Sequence, residues 1–289
     1  MVEYILGNYL VESGKISDED MNAVLEQMNA VRVKLGLIAV AEGFMTTKQA
    51  ETVNKLQATC DKRFGDIAVE QGYLTEEQVG KLLEEQGNTY FMFIQTLVDL
   101  SLLETEEVDG ILEQFKRKKG YTNTELEDIK SDDADRIIPL YLQQNARKYQ
   151  ELLGVAVRTM IRLIDRRLYI GEATVQDSAR FQTMVSQKLL GAGCLQVALA
   201  EKGGALLTLC SVFGQEDFQK LDEDALDAAG EFINCLNGLY ASARSRAGEF
   251  MELYPPEYHM SGADVTGVVC TVPINIQGKE LYFVVAEPA

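Results

Sequence analysis

Asp227, Glu231, Asn234 and Gly238 follow one another at intervals of four, three and four residues. On an α-helix that spacing lines up two carboxylates and a carboxamide along one ridge, beside a residue with no side chain. Such a ridge leaves room for something to approach closely at the glycine, beside the carboxylates and the carboxamide. A solvated helix face explains most Glu-x-x-Asn spacings, and the chain repeats it at Glu19/Asn22, Glu51/Asn54 and Glu85/Asn88. Only the Glu231 copy adds an acid four residues earlier, a glycine four residues after the asparagine, and Pro255-Pro256 about one helix and loop later.

The ridge needs a helix to carry it. Leu226, Ala229, Ile233, Leu236 and Tyr240 recur at three- and four-residue spacing, so a long helix from about Glu223 to Gly248 is expected to lay this apolar stripe on a sheet. Two hairpins are expected around it. One runs from Cys194 to Ala200, turns at Glu201-Lys202-Gly203-Gly204, and returns from Ala205 to Ser211; the other runs from Val265 to Ile276, turns at Gln277-Gly278, and returns from Leu281 to Val285. An earlier helix is read from about Ile137 to Leu153, stopped by Gly154, while residues 155–190 carry no decisive pattern. Cys235 is placed on the packed side of the long helix, and His259 in a surface loop after the prolines.

The N-terminal half is periodic. Gly7, Gly36 and Gly65 lie 29 residues apart, and Gly14, Gly43 and Gly72 keep the same period, reaching Ser101 in a fourth copy. Each unit reads as a short helix, a glycine stop and a second helix capped by Ser17, Thr46 or Thr75, with Thr46 to Gln49 and Thr75 to Gln78 fitting capping boxes. Met21, Leu25 and Met28, or Val79, Leu83 and Gln86, then supply the apolar spacing. One hairpin cannot bury its apolar face alone, so stacked copies with divergent ends are required. The organisation expected is a helical repeat domain over 1–117 with four units, a linker over 118–134 beginning in the solvated Lys116 to Lys119 run, and an α+β domain with an antiparallel sheet and long helices over 135–289.

Composition narrows the partners. With 27 Lys plus Arg against 45 Asp plus Glu, the formal charge is −18, which repels nucleic acid and anionic lipid at long range. Hydrophobic residues make up 46% of the chain, enough for globular cores, and no run is long enough to cross a membrane as a helix. Five scattered cysteines without a Cys-x-x-Cys pair and a start lacking a secretion signal fit a reducing, cytoplasmic setting. His259 is the single histidine, so no paired-histidine metal site is expected.

The Asp227, Glu231, Asn234 and Pro255 or Pro256 constellation resembles the CheX/CheC family of chemotaxis phosphatases. Their mark is Asp or Ser, three residues, Glu, two residues, Asn, and a proline some twenty-odd residues on. The resemblance covers about residues 135–289; here the interval to the proline is slightly short and Asn237 stands just ahead of Gly238. It implies a phosphatase acting on the aspartyl phosphate of a CheY-like response regulator in two-component signalling. Glu231 would pair with the regulator's lysine, Asn234 would position the attacking water, and Asp227 and Gly238 would support them. It also implies no cofactor of its own, Mg²⁺ in the partner receiver domain, and a homodimer through the C-terminal domain.

The inner two repeats, Lys34-Leu35-Gly36 through Gln57 and Arg63-Phe64-Gly65 through Gln86, resemble the N-terminal domain of MshE-type secretion and pilus ATPases, including a five-residue spacer. That resemblance implies cyclic di-GMP as a ligand, with Lys34, Gly36, Gln57, Arg63, Gly65 and Gln86 as its contacts. A protein-docking array is the competing role. The alternative for the whole chain is therefore a non-enzymatic signalling adaptor whose repeats bind cyclic di-GMP or a protein.

Overall fold

A computed structural model describes residues 1–59 and 62–288. The chain divides into two compact units, Val2–Asp133 and Ala134–Ala289. The first is helical and the second mixes helices with an antiparallel sheet.

The first unit holds α1 (Val2–Glu12), α2 (Asp18–Gln27), α3 (Leu35–Ala41), α4 (Thr47–Gln57), α5 (Phe64–Glu70), α6 (Glu76–Glu84), α7 (Thr89–Asp99), α8 (Val108–Lys119) and α9 (Asn123–Lys130). Ser17, Thr46 and Thr75 cap α2, α4 and α6 through reciprocal capping boxes with Asp20, Gln49 and Gln78. The two glycine series have different duties. Gly14, Gly43 and Gly72 stop helices at φ of 67°, 69° and 70°, and Ser101 takes the same left-handed turn at 57°. Gly36 and Gly65 instead lie inside α3 and α5 as points of close approach. A Cβ on Gly65 would sit 2.8 Å from Val79 Cγ1, and one on Gly36 would sit 3.0 Å from the Phe64 ring.

Residues 118–134, expected as a linker, contain α9. Its first turn is closed by a Thr122/Glu125 capping box, and Leu126 and Ile129 are buried. Two apolar residues three apart are a faint signal in an acidic run, yet they suffice once a cap fixes the turn.

The second unit opens with α10 (Ala134–Tyr141) and α11 (Gln150–Leu163). The single helix expected from Ile137 to Leu153 is divided here. Pro139 removes one amide donor within α10, and Gly154 is no stop but an interior residue of α11 whose Cβ would lie 2.9 Å from Asp135 Oδ1. There follow β1 (Tyr169–Ile170), β2 (Thr174–Phe181), β3 (Met184–Leu190), β4 (Cys194–Glu201), α12 (Ala205–Gly214), α13 (Glu223–Arg246), β5 (Glu252–Leu253), β6 (Glu257–His259), β7 (Ala263–Ile276) and β8 (Lys279–Glu287). The sheet order is β1-β7-β8-β4-β3-β5, with β2 also on β7 and β6 also on β3.

Ala205 to Ser211, expected as a returning strand, is the helix α12. Its run is apolar all round, so periodicity cannot separate strand from buried helix. Gly204 at φ 93° turns the chain, and Glu201 accepts from the Gly204 and Leu206 amides that open the helix. The second expected hairpin is present as β7 and β8, joined at Gln277 (φ 51°) and Gly278 (φ 77°).

Candidate functional site

The ridge is carried by α13, whose sequence fixes its ends. Asp222 caps it by accepting from the Ala225 amide, Glu223 and Asp224 suit its positive N-terminal end, and Arg244 and Arg246 suit the other. The stripe Leu226, Ala229, Ile233, Leu236 and Tyr240 is buried against the sheet. Asp227, Glu231 and Asn234 are consequently exposed on the opposite ridge. Cys235 is exposed as well, not packed as expected, because it lies four residues after Glu231 and so stays on the ridge side of the helix.

The sheet supplies the other wall. Along its edge, β3 pairs with β6 at Met184 to Ser186 and with β5 at Leu189 and Leu190. Between these two short pairings the chain passes through Tyr254, Pro255 and Pro256, two of which have no amide to offer a ladder. Tyr254 keeps its own amide bonded to the Lys188 carbonyl at 3.0 Å. Its carbonyl turns inward, where Gln187 Nε2 donates to it at 2.8 Å.

Sequence reading passed over Gln187, which reaches Asn234 from β3. It is 1% exposed and shares its strand face with Val185 and Leu189, the face that α13 covers. A polar residue on an otherwise apolar alternation was the available signal. Its Nε2 also donates to Asn234 Oδ1 at 2.7 Å, and its Oε1 accepts from Asn237 Nδ2 at 2.8 Å.

These contacts assign the amides without ambiguity. The Tyr254 carbonyl can only accept, so the Gln187 atom facing it is nitrogen; the Asn234 atom facing that nitrogen is then oxygen. Asn234 Nδ2 therefore turns away from Gln187, and it makes no hydrogen bond to any described residue. The side chain offers a donor to solvent, whereas its oxygen is already engaged.

Glu231 and Asn234 share a groove of about 390 Å³ with Gly230, Leu253, Tyr254, Pro255, Pro256 and Tyr258. Asp227 is not in it. It stands in the neighbouring hollow with Glu223, Asp224 and Met260, where Tyr258 forms the shared wall. Burial, the hydrogen bond to Asp227, and the charges of Asp227 and Glu231 raise the Tyr258 phenol above its ordinary pKa. Gly238 lines neither hollow, and a Cβ there would meet nothing within 4 Å. His259 belongs to strand β6, paired with Met184, not to a loop. Among the described residues no cluster of His, Cys, Asp and Glu could hold a metal ion, and no helix is long and apolar enough to cross a membrane.

In the repeat unit, Lys34, Gln57, Arg63, Gly65 and Gln86 line a single cavity of about 820 Å³, together with Arg32, Asn54, Asp66 and Leu83. Gly36 lies in an adjoining hollow, which Lys34 also borders. Lys34 is tied to Asp99 at 2.9 Å, Gln57 donates to the Lys62 carbonyl at 3.1 Å, and Gln86 donates to the Val33 carbonyl at 2.7 Å. Arg32 and Arg63 are exposed and make no ion pair with any described residue. Leu83, expected in the apolar lattice, is 50% exposed at this cavity, while its neighbour Leu82 fills the core.

No family model matches the sequence, and no curated protein does. Solved structures similar to the C-terminal half include a chemotaxis protein CheX from Desulfovibrio desulfuricans, 15% identical, with 48% of this chain and 98% of that chain covered at a TM-score of 0.43. CheX from Vibrio vulnificus is 16% identical over 47% of this chain and 95% of that one, with a TM-score of 0.40. A CheX-CheY-BeF3-Mg complex from Borrelia burgdorferi is 15% identical over 47% and 95%, with a TM-score of 0.39.

Proposed function

We propose that the C-terminal unit hydrolyses the aspartyl phosphate of a CheY-like receiver domain. The observation that supports this most is Asn234, exposed on α13 with its amide nitrogen turned outward in the groove it shares with Glu231. The residues of the ridge resemble the CheX/CheC motif. An acyl phosphate in a receiver already sits beside its own Mg²⁺ and lysine, so the missing element is a water held in line with phosphorus.

Asn234 Nδ2 would donate to that water's oxygen and fix its position, leaving a lone pair directed at phosphorus. As the new P–O bond forms, the bond from phosphorus to the acyl oxygen breaks and the aspartate departs as carboxylate. The proton of the water passes to the released phosphate or to solvent, so no strong base is needed in the groove. Glu231 would pair with the receiver's lysine and set the angle at which α13 enters. A homodimer through this unit is part of the same reading, tested by light scattering on the purified chain.

The test is decay of a phosphorylated receiver from the same organism, followed with and without the protein. Wild type should accelerate loss of phosphate, and Asn234→Ala should lose about 2–4 kcal/mol of transition-state stabilisation while remaining folded. A wild-type protein that leaves every receiver's decay unchanged removes the enzyme and leaves an adaptor.

A second reading concerns the repeats. The motif residues Lys34, Gln57, Arg63, Gly65 and Gln86 converge on one cavity whose size lies within the range of small-molecule sites. We infer cyclic di-GMP as its ligand, with the Arg63 guanidinium placed to fork onto a guanine edge. Isothermal titration should show binding that Arg63→Ala abolishes; equal binding by that variant rejects the mode.

A further inference from the structure

Asn237, Gln187 and Asn234 form a line of carboxamides leading from the packed face of α13, through β3, to the groove. The first two are 0% and 1% exposed. Burying amides is costly unless they are bonded, and Gln187 is bonded at every hand: both nitrogen protons have acceptors and its oxygen has a donor. Stability alone does not require this arrangement, since Val185 and Leu189 fill the same strand face with apolar side chains.

We infer that Gln187 is a positioning residue that locks the Asn234 carboxamide with nitrogen outward. The inference deepens the phosphatase reading and rests on it. A carboxamide torsion is broad and roughly two-fold, so an unheld Asn234 would present oxygen to the groove about as readily as nitrogen. Oxygen there would face the oxygens of a phosphoryl group and could not donate to an attacking water. Gln187 thus decides the sign of the partial charge the groove offers. Tyr254 acts one step further back, because its carbonyl fixes which end of Gln187 is nitrogen.

Gln187→Met keeps length and burial but removes all three hydrogen bonds. With wild type active, this variant should lower kcat for receiver dephosphorylation about tenfold and leave KM unchanged, because docking through Glu231 is untouched. Adding Asn234→Ala should then cost less than it does in wild type, since an unheld amide has already lost most of its benefit. Nitrogen-15 relaxation of the Asn234 side chain supplies a readout free of activity: its order parameter should fall in Gln187→Met. If Gln187→Met does not fold, Gln187→Glu has the same shape and should turn the Asn234 amide round, with the same loss of kcat. An unchanged order parameter, or an unchanged kcat in an active background, overturns the proposal. An inactive wild type removes the phosphatase reading alone, and the relaxation measurement still decides whether Gln187 orients Asn234.

Discussion

The Tyr258 hydroxyl donates to Asp227 Oδ1 at 3.1 Å, while its ring occupies the space where a side chain at Gly230 would begin. A Cβ at residue 230 would collide with that hydroxyl and lie 2.8 Å from Cε1. Glycine inside a helix costs about 1 kcal/mol relative to alanine, so its presence in the middle of α13 reflects the tyrosine seated on it.

Gly230→Ala should therefore leave global stability within about 1 kcal/mol of wild type, gained helix propensity offsetting the displaced ring. Tyr258 as a whole is 45% exposed, so its ring has room to swing outward. Once released from Asp227 its pKa should fall back toward the ordinary tyrosine value. A carbon-13 NMR titration of the tyrosines measures this; a Tyr258 curve identical to wild type contradicts the contact.

Glu231 lies on the exposed ridge, where a charge acts mainly on encounter and orientation. Glu231→Gln should raise KM for the phosphorylated receiver about fivefold or more and flatten its salt dependence, with kcat little altered. Steady-state kinetics at two ionic strengths separate these effects. A fall in kcat at constant KM would assign Glu231 to the chemical step instead.

Among the repeats, Gly65→Ala and Gly72→Ala should both destabilise, for different reasons. At Gly65 the new methyl meets Val79, whereas at Gly72 it meets nothing but must be held at φ 70°. Each should cost about 1–3 kcal/mol in urea denaturation. Val79→Ala should recover part of the first loss and none of the second. Equal behaviour of the two double variants would mean that the close approach of α5 to Val79 is not the cause.

Burial pushes the Cys210 thiol up to about 12 and the Cys270 thiol up to about 11. A raised thiol pKa keeps the folded form protonated while the unfolded chain ionises from about pH 9. Stability from these groups is thus complete below pH 9 and declines as pH rises toward their folded values, by about 1.4 kcal/mol per pH unit for each thiol. Denaturation at pH 8 and pH 10.5 measures the slope, which Cys210→Ala should reduce. In native protein, Cys194 and Cys235 should react with a thiol reagent while Cys210 and Cys270 wait for unfolding; Cys60 lies outside the described residues.

The elements most legible in the sequence are those written in local chemistry. Ser17, Thr46 and Thr75 announce helix starts because a hydroxyl and an acceptor three residues on satisfy free amides within one turn. The ridge of α13 was legible because its apolar stripe alternates with polar positions at helical spacing. What escaped depended on contacts distant in sequence. Ala205 to Ser211 is apolar on every side, and Gly36 and Gly65 read like stops until Phe64 and Val79 are seen against them. Gln187 carries no motif, and its role exists only because α13 brings Asn234 within 2.7 Å across 47 positions of chain.

The interruption between β5 and β6 has a consequence for solubility. A continuous outer strand beside β3 would expose a row of unpaired amides able to recruit a neighbouring molecule's backbone. Two- and three-residue pieces separated by Pro255 and Pro256 offer no such row. The kink that turns the Tyr254 carbonyl inward thereby also blunts this rim against strand-by-strand polymerisation, so replacing both prolines should promote fibrous aggregates as well as loosening the groove.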